Sequence, residues 1–323
     1  MATVIHLKAP GGIDQFEQVK RDIGAPGAGE IRLEQQAIGV NFLDIYHRRG
    51  EYPLPLPAVL GVEAVGHVTA LGAGVTGFEI GDRIVYGGAL GAYASERLLP
   101  AWRAVKLPEI ISDEIAAGSF LKALTVQMLM RRVYAVRPDD WVLVQGAAGG
   151  VGSLLCRWAK RDGARVIGTV GNAAKAELAR QQGADHVIIG RDADFAAEVA
   201  RITDGRLAHV AYDGIGGNTL QKTFACVRPF GTVVSIGQAA GPIPKIDVGE
   251  IGPRRSLIFA RPSVMGYGSD PETYRAAAPE VIDALTSGLH PAIGRRYALA
   301  EAAQAQDDLE HGRNSGSLIL RVS

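Results

Sequence analysis

From Trp141 to Ala260 the chain alternates short apolar stretches with segments long enough for one helix each. The series runs "WVLVQ", a helix from about Val151, "RVIGTV", "NAAKAELARQQG", "HVII", "DADFAAEVARIT", "HVAYD", "NTLQKTFACV", "GTVVSIG" and "SLIFA". Strands joined by helices run parallel and need helices on both faces of their sheet. Six such strands are the number a doubly wound dinucleotide-binding sheet uses, and its ligand crevice lies at the carboxyl ends of the strands.

The first strand runs directly into "GAAGGVG", Gly146 to Gly152, and then into a helix. A turn of this kind leaves backbone N–H groups unpaired and pointing outward, where they can bind a pyrophosphate, and glycine lets the phosphate approach. The spacing Gly146-x-x-Gly149-x-x-Gly152, with Gly150 added, departs from G-x-G-x-x-G and as an isolated string would also suit a plain tight turn. Its place between the first strand and first helix of a six-strand series favours a dinucleotide.

The end of the second strand bears on which dinucleotide, because a carboxylate there favours the free 2′-hydroxyl of NAD. This strand ends Thr169-Val170-Gly171-Asn172, without an acid, while Lys175 follows within a turn and Arg191 follows the third strand. Two cations could reach a 2′-phosphate, so NADPH is the expected cofactor.

The first 110 residues or so alternate strand-like pieces, among them "TVIHLK", "EIRLEQQAIGV", "AVGHVTAL", "DRIVY" and "AYASERLL", with Gly- and Pro-rich turns. This predicts an antiparallel or barrel-like β region. "SDEIAAGSFLKALTVQMLM" then changes to helical spacing, with Ser112 as its N-cap. After Arg261 come two helical segments and the strand-like "GSLILRV", which needs partners in the β-rich N-terminal third. The expected organisation is a discontinuous domain, residues 1–122 with 262–323, around a cofactor domain, residues 123–261.

The 47% hydrophobic residues are spread along the chain, with no apolar run long enough for a membrane span. Thirty-four basic residues balance 34 acidic ones, which leaves no global field to attract nucleic acid or anionic lipid. The N-terminus shows no signal-peptide pattern. Cys156 and Cys226 make neither a disulfide framework nor a Cys-x-x-Cys knuckle. A cytoplasmic protein is expected.

The stretches "AIGVNFLDIYHRRGEYP", "LGVEAVGHV", "GDRIVY", "GAYAS", "SFLKALTV", "GAAGGVG", "GTVGNAAKAELARQQGADHVI", "YDGIGG" and "RPSVMGY" resemble those of the quinone oxidoreductases, the zeta-crystallin-like branch of the medium-chain dehydrogenase/reductase superfamily. The resemblance runs nearly end to end. It implies an α/β protein with a GroES-like β-rich catalytic domain and a Rossmann domain, a cofactor in the cleft between them, and homodimers formed through the cofactor domain. The implied reaction is hydride transfer from NADPH to a quinone or to an activated carbon–carbon double bond.

Zinc-dependent relatives carry a Cys near the position of Asn41 and Gly-His-Glu where this chain has Gly61-Val62-Glu63, so both soft ligands are absent here. No metal is expected. A quinone needs no such Lewis acid, because hydride arrival produces a resonance-stabilised phenolate that takes its proton from water or a nearby hydroxyl. Catalysis can then rest on positioning in a site of limited water access.

By the same resemblance, Asn41, Tyr46 and Thr125 would line the nicotinamide and its ribose, and Tyr52 would edge the substrate pocket, with Asn41 and Tyr52 as the catalytic pair. Gly149, Gly150 and Val151 would meet the pyrophosphate, Gly171 and Lys175 the adenosine phosphate, with Arg191 replacing part of a tyrosine contact that relatives make there, and Gly237 and Gln238 the nicotinamide. Arg313 in "EHGRNSG" would correspond to a cofactor-cleft arginine, displaced by about one position. Gly190 and Met128 stand where relatives often carry aromatic residues. Two other functions fit the same sequence: an enal or enone reductase, and a crystallin-like or RNA-associated nucleotide binder without useful turnover.

Overall fold

The computed structural model describes residues 1–313 and 316–322. Asn314 and Ser315 of "EHGRNSG" therefore lie outside the described residues. The chain forms two compact units, Met1–Leu124 with Val264–Ser323, and Thr125–Ser263. The first division falls inside a continuous helix, where no loop marks it in the sequence.

The N-terminal part of the first unit contains β1 (Ala2–Leu7), β2 (Phe16–Arg21), β3 (Glu30–Val40), α1 (Phe42–Arg48), β4 (Ala58–Val59), β5 (Glu63–Leu71), β6 (Arg83–Gly87), β7 (Glu96–Pro100), β8 (Val105–Lys106) and α2 (Asp113–Gln127). Ser112 Oγ accepts the Ile115 N–H at 3.3 Å, so the cap read from the sequence starts α2. The helix passes into a π-helical turn over Met128–Val133.

The second unit continues with β9 (Trp141–Gln145), α3 (Gly150–Arg161), β10 (Arg165–Val170), α4 (Ala174–Gln181), β11 (His186–Ile189), α5 (Phe195–Ile202), β12 (Ala208–Asp213), α6 (Gly217–Phe224), β13 (Val227–Ser235), α7 (Val248–Ile251) and β14 (Ile258–Ala260). Its six strands lie in the order β11-β10-β9-β12-β13-β14, and every neighbouring pair is parallel. This is the doubly wound order 3-2-1-4-5-6. Leu143, Ile167, Ala211 and Val233 from the sheet pack with Val199 and Leu220 from the helices. The chain order reverses at β9, so the glycine loop leaves the sheet at the switch point.

The C-terminal segment returns to the first unit with α8 (Val264–Tyr267), α9 (Pro271–Thr286), β15 (Ile293–Ala298), α10 (Ala302–Glu310) and β16 (Ser317–Arg321). As its isolated strand pattern required, β16 pairs antiparallel with β3. The resulting seven-stranded sheet runs β15-β16-β3-β5-β6-β8, with β7 also on β3. A separate sheet joins β2, β1 and β4. Ile31, Leu33 and Ile38 of β3 are fully buried in this unit's core. The sequence reading missed β15, because Arg295 and Arg296 interrupt its apolar alternation and it pairs only with β16, in parallel. Among the described residues no helix is long and apolar enough to cross a membrane.

Candidate functional site

The loop from β9 to α3 takes its shape from its glycines. Gly146 has φ +76°, a conformation open to glycine and costly for most other residues. A Cβ at Gly152 would stand 2.2 Å from the Gly146 carbonyl oxygen, so the loop closes only with glycine at that position. Gly149 is the N-cap of α3 and brings no side chain to satisfy the first N–H groups. Helix geometry leaves the amides of Gly150 and Val151 without intrahelical acceptors, and the first turn contains no acid, so these donors and the helix dipole suit an anion.

On the β10 side, Asn172 Oδ1 accepts the Lys175 N–H at 3.1 Å just before α4, whose first turn carries the exposed Lys175. Arg191 lies against Gly171, where an added Cβ would be 3.5 Å from its Nε. Gly171, Lys175 and Arg191 thus gather beside the end of β10, with the acid-free Thr169-Val170 behind them. Gly190, at φ +110°, turns the chain toward Arg191.

The loops after β12 and β13 interlock. A Cβ on Gly237 would meet the Gly214 carbonyl oxygen at 2.9 Å, and one on Gly216 would meet Gln238 Cα at 2.8 Å. Arg261 donates to Gln238 Oε1 at 3.0 Å. Gly237 and Gln238 therefore sit on a narrow backbone platform, at the same strand edge as the glycine loop.

In the first unit, the buried Asn41 begins α1. Its backbone N–H is taken by Asp44 Oδ2 at 2.9 Å, half of a capping box. Its amide is directed away from the helix: Nδ2 donates to Glu63 Oε1 at 2.8 Å and Oδ1 accepts from Lys122 Nζ at 2.9 Å. Glu63 also accepts the Leu121 N–H at 2.7 Å and pairs with Lys122 at 3.5 Å. Both amide ends are committed, which fixes the orientation of Asn41. Burial pushes the Asp44 carboxyl up to about 7, against hydrogen bonds from Asn41 and Tyr93 that pull it down.

The sequence reading did not identify Glu63 or Lys122 as site residues. Their signal was a carboxylate ending "LGVE" and a lysine within the otherwise apolar "SFLKALTV". Thr125 follows Lys122 one turn along α2. Tyr46 and Tyr52 pack edge to face at 5.7 Å, Tyr52 packs similarly on His47 at 5.9 Å, and the Tyr52 side of the cluster is 39% exposed. Arg313 is engaged within its own unit, by Asp308 at 2.9 Å and by Asp307.

Residues 27–109 match the family described as alcohol dehydrogenase GroES-like domain, and residues 150–284 match the family described as zinc-binding dehydrogenase. The quinone oxidoreductase of Pseudomonas aeruginosa is 41% identical, with 99% of each chain covered. The 2-haloacrylate reductase of a Burkholderia species is 42% identical, covering 99% of this chain and 98% of that protein. The crystal structure of Escherichia coli quinone oxidoreductase complexed with NADPH superimposes with a TM-score of 0.93, at 39% identity and 99% coverage of both chains.

The zinc in the second family description does not fit the residues here. Around Asn41 the donors are an amide and a carboxylate already bonded to the Lys122 ammonium, a cation that would repel Zn²⁺, and among the described residues no group of three or more His, Cys, Asp or Glu is placed to hold a metal ion. With a fold, a glycine loop and an end-to-end similarity in common with these proteins, the chain belongs to the quinone oxidoreductase family of the medium-chain dehydrogenase/reductase superfamily.

Proposed function

We propose that the protein is a metal-independent NADPH:quinone oxidoreductase. The observation that carries this reading is the glycine seat at the end of β9 with Lys175 and Arg191 gathered beside the acid-free end of β10. The relatives' names and the NADPH complex of the Escherichia coli protein support it. When bound, NADPH supplies the hydride.

In this reading the amides of Gly150 and Val151 hold the pyrophosphate, Gly149 lets it approach while its own N–H closes the turn on the Gly146 carbonyl at 3.0 Å, and Lys175 and Arg191, with Gly171 leaving room, hold the 2′-phosphate. Gly237 and Gln238 flank the nicotinamide, while Asn41, Tyr46 and Thr125 orient it and its ribose. Asn41 can do so because Glu63 and Lys122 hold its amide in one orientation, leaving one Nδ2 hydrogen and one Oδ1 lone pair for a ligand. Tyr52 edges the acceptor. The Tyr46–Tyr52 cluster offers a planar acceptor an aromatic contact. Arg313, held by two carboxylates, is left out of the cofactor set.

A second reading, reduction of an activated alkene, is favoured by the 42% identity to 2-haloacrylate reductase. Stopped-flow mixing with NADPH and a series of benzo- and naphthoquinones tests the first: absence of NADPH oxidation with every quinone would sink it. A kcat/KM for an enone or haloacrylate above that for every quinone would move the assignment to the second. Tight NADPH binding with no acceptor reduced would leave a nucleotide-binding protein without turnover.

We further propose a homodimer formed through the cofactor unit. Its edge strand β14 carries Ile258, 55% exposed, near the 79% exposed Phe230 of the β13 strand it pairs with, the kind of apolar edge that a second copy covers. A cytoplasmic location is the companion proposal, supported by the free, buried thiols of Cys156 and Cys226.

A further inference from the structure

Thr169, Gln145, Asp213 and Ser235 stand at the carboxyl ends of the adjacent strands β10, β9, β12 and β13, and none is more than 5% exposed. Asp213 lies in register with Gln145 on one side and with Ser235 on the other. Parallel strands covered on both faces are usually continuous runs of Val, Ile and Leu. A polar row there costs free energy unless its groups are bonded.

Three of the four are joined in one chain of bonds. Thr169 Oγ1 accepts the Gly146 N–H at 3.3 Å, and its hydroxyl donates to Gln145 Oε1 at 2.6 Å. Gln145 Nε2 donates to Thr223 Oγ1 on α6 at 3.0 Å. The Thr223 hydroxyl donates to Asp213 Oδ2 at 2.9 Å, with the Thr219 carbonyl as its alternative acceptor. Asp213 Oδ1 then takes the N–H groups of Ile215 at 2.8 Å and Gly216 at 2.9 Å.

The loop held by Asp213 is bonded in turn to the loop after β13, where the Ala240 N–H meets the Ile215 carbonyl at 2.8 Å. The Ile215 side chain also reaches the glycine loop, its Cδ1 lying 3.0 Å from where a Gly146 Cβ would stand. One end of the belt is the glycine loop. The other is the platform bearing Gly237 and Gln238.

We propose that Gln145, Thr169, Thr223 and Asp213 form a positioning belt that fixes these two loops relative to each other, so that the adenosine and nicotinamide ends of the dinucleotide bind as one ligand. The inference rests on reading the two loops as cofactor contacts. The belt acts through backbone and not by touching the cofactor. Its short, mutually polarising bonds remove freedom that would otherwise be lost on binding.

The test compares NADPH with 2′,5′-ADP, which carries only the adenosine end, by calorimetric titration. Gln145→Met with Thr169→Val replaces both partners of the Thr169–Gln145 bond by apolar groups of similar shape, and frees the Gly146 N–H from Thr169 Oγ1. NADPH affinity is expected to fall about tenfold, the size of one lost net hydrogen bond, while 2′,5′-ADP affinity stays within about twofold. Thr169→Ser, which keeps the hydroxyl, retains the wild-type ratio of the two.

Equal losses for both ligands, or none, would overturn the belt. Hydrogen exchange on the wild-type protein gives an answer even where the double variant does not fold: 2′,5′-ADP should slow exchange at the Ile215 and Gly216 amides, and unchanged rates there overturn the proposal. A wild-type protein that binds neither ligand refutes the cofactor reading itself.

Discussion

Asp44 shows how one buried side chain sets a pH dependence. Its Oδ2 accepts from Asn41 and Tyr93, while Oδ1 has no protein partner among the described residues, and the pKa rises from 3.8 to about 7. A carboxyl with a raised folded pKa keeps its proton in the native state while the unfolded chain has already lost it. The native state then binds more protons, and this group's contribution to stability falls as the pH rises between about 4 and 7, staying low above that. Asp44→Asn abolishes the titration and keeps an acceptor for the Asn41 N–H. Urea unfolding at pH 5 and pH 8 should show the variant gaining on wild type at the higher pH by on the order of 2 kcal/mol. A pH-independent difference would show that burial does not hold the proton on.

Lys175 is the residue-scale test of cofactor choice. It is exposed and stands at the start of α4, so its replacement by Ala should disturb the fold little. The expected result is a loss on the order of 1–3 kcal/mol in NADPH binding, the range of a charge-assisted hydrogen bond, with a smaller loss for NADH. Equal losses would refute the phosphate role.

Among the elements, the turn from β9 into α3 separates two kinds of glycine. A Cβ on Gly152 would meet backbone at 2.2 Å, whereas one on Gly149 would lie 3.3 Å from its nearest neighbour. Gly152→Ala should therefore destabilise the protein by about 1–3 kcal/mol, as overpacking does, read as a lower urea midpoint. Gly149→Ala, whose methyl group presses less closely on the Gly146 carbonyl oxygen, should lower the midpoint less and weaken NADPH binding, because that methyl group enters the space the phosphate needs. The opposite pattern would mean that Gly149 serves only the turn.

Several elements are legible in the sequence itself. Ser112 announced α2, and the polar closing residues of "WVLVQ" and "HVAYD" marked the edge where the belt stands, although their connection was not readable. Helix α1 could have been found from Asn41-x-x-Asp44, which places a cap and a returning carboxylate at the spacing of one turn. Strand β15 could not, because "IGRRYA" exposes its adjacent arginines and owes its extended form to β16.

At the scale of the whole molecule, an exposed aromatic side chain bears on assembly. Phe230 is held at φ +60°, with its N–H bonded to the Ser256 carbonyl at 2.8 Å. A large apolar side chain in so sparsely populated a conformation, and 79% exposed, is accounted for if a second copy covers it. Phe230→Asp combined with Ile258→Lys should shift the protein from dimer to monomer in sedimentation velocity without lowering its helix content. A wild-type monomer at micromolar concentration would refute the dimer.

What the sequence determined by itself was local in origin: the six-strand parallel sheet, the glycine turn at its first strand and the missing acid after its second. Each follows from periodicity or residue type over a few consecutive positions. Tertiary structure alone decided the rest. It bonded Asn41 to a lysine 81 residues away, committed Arg313 to neighbouring carboxylates, and linked Thr169 to Asp213 through Gln145 and Thr223. Burial gives such partners their consequence, because a polar group removed from water must be answered by whatever group the fold brings beside it.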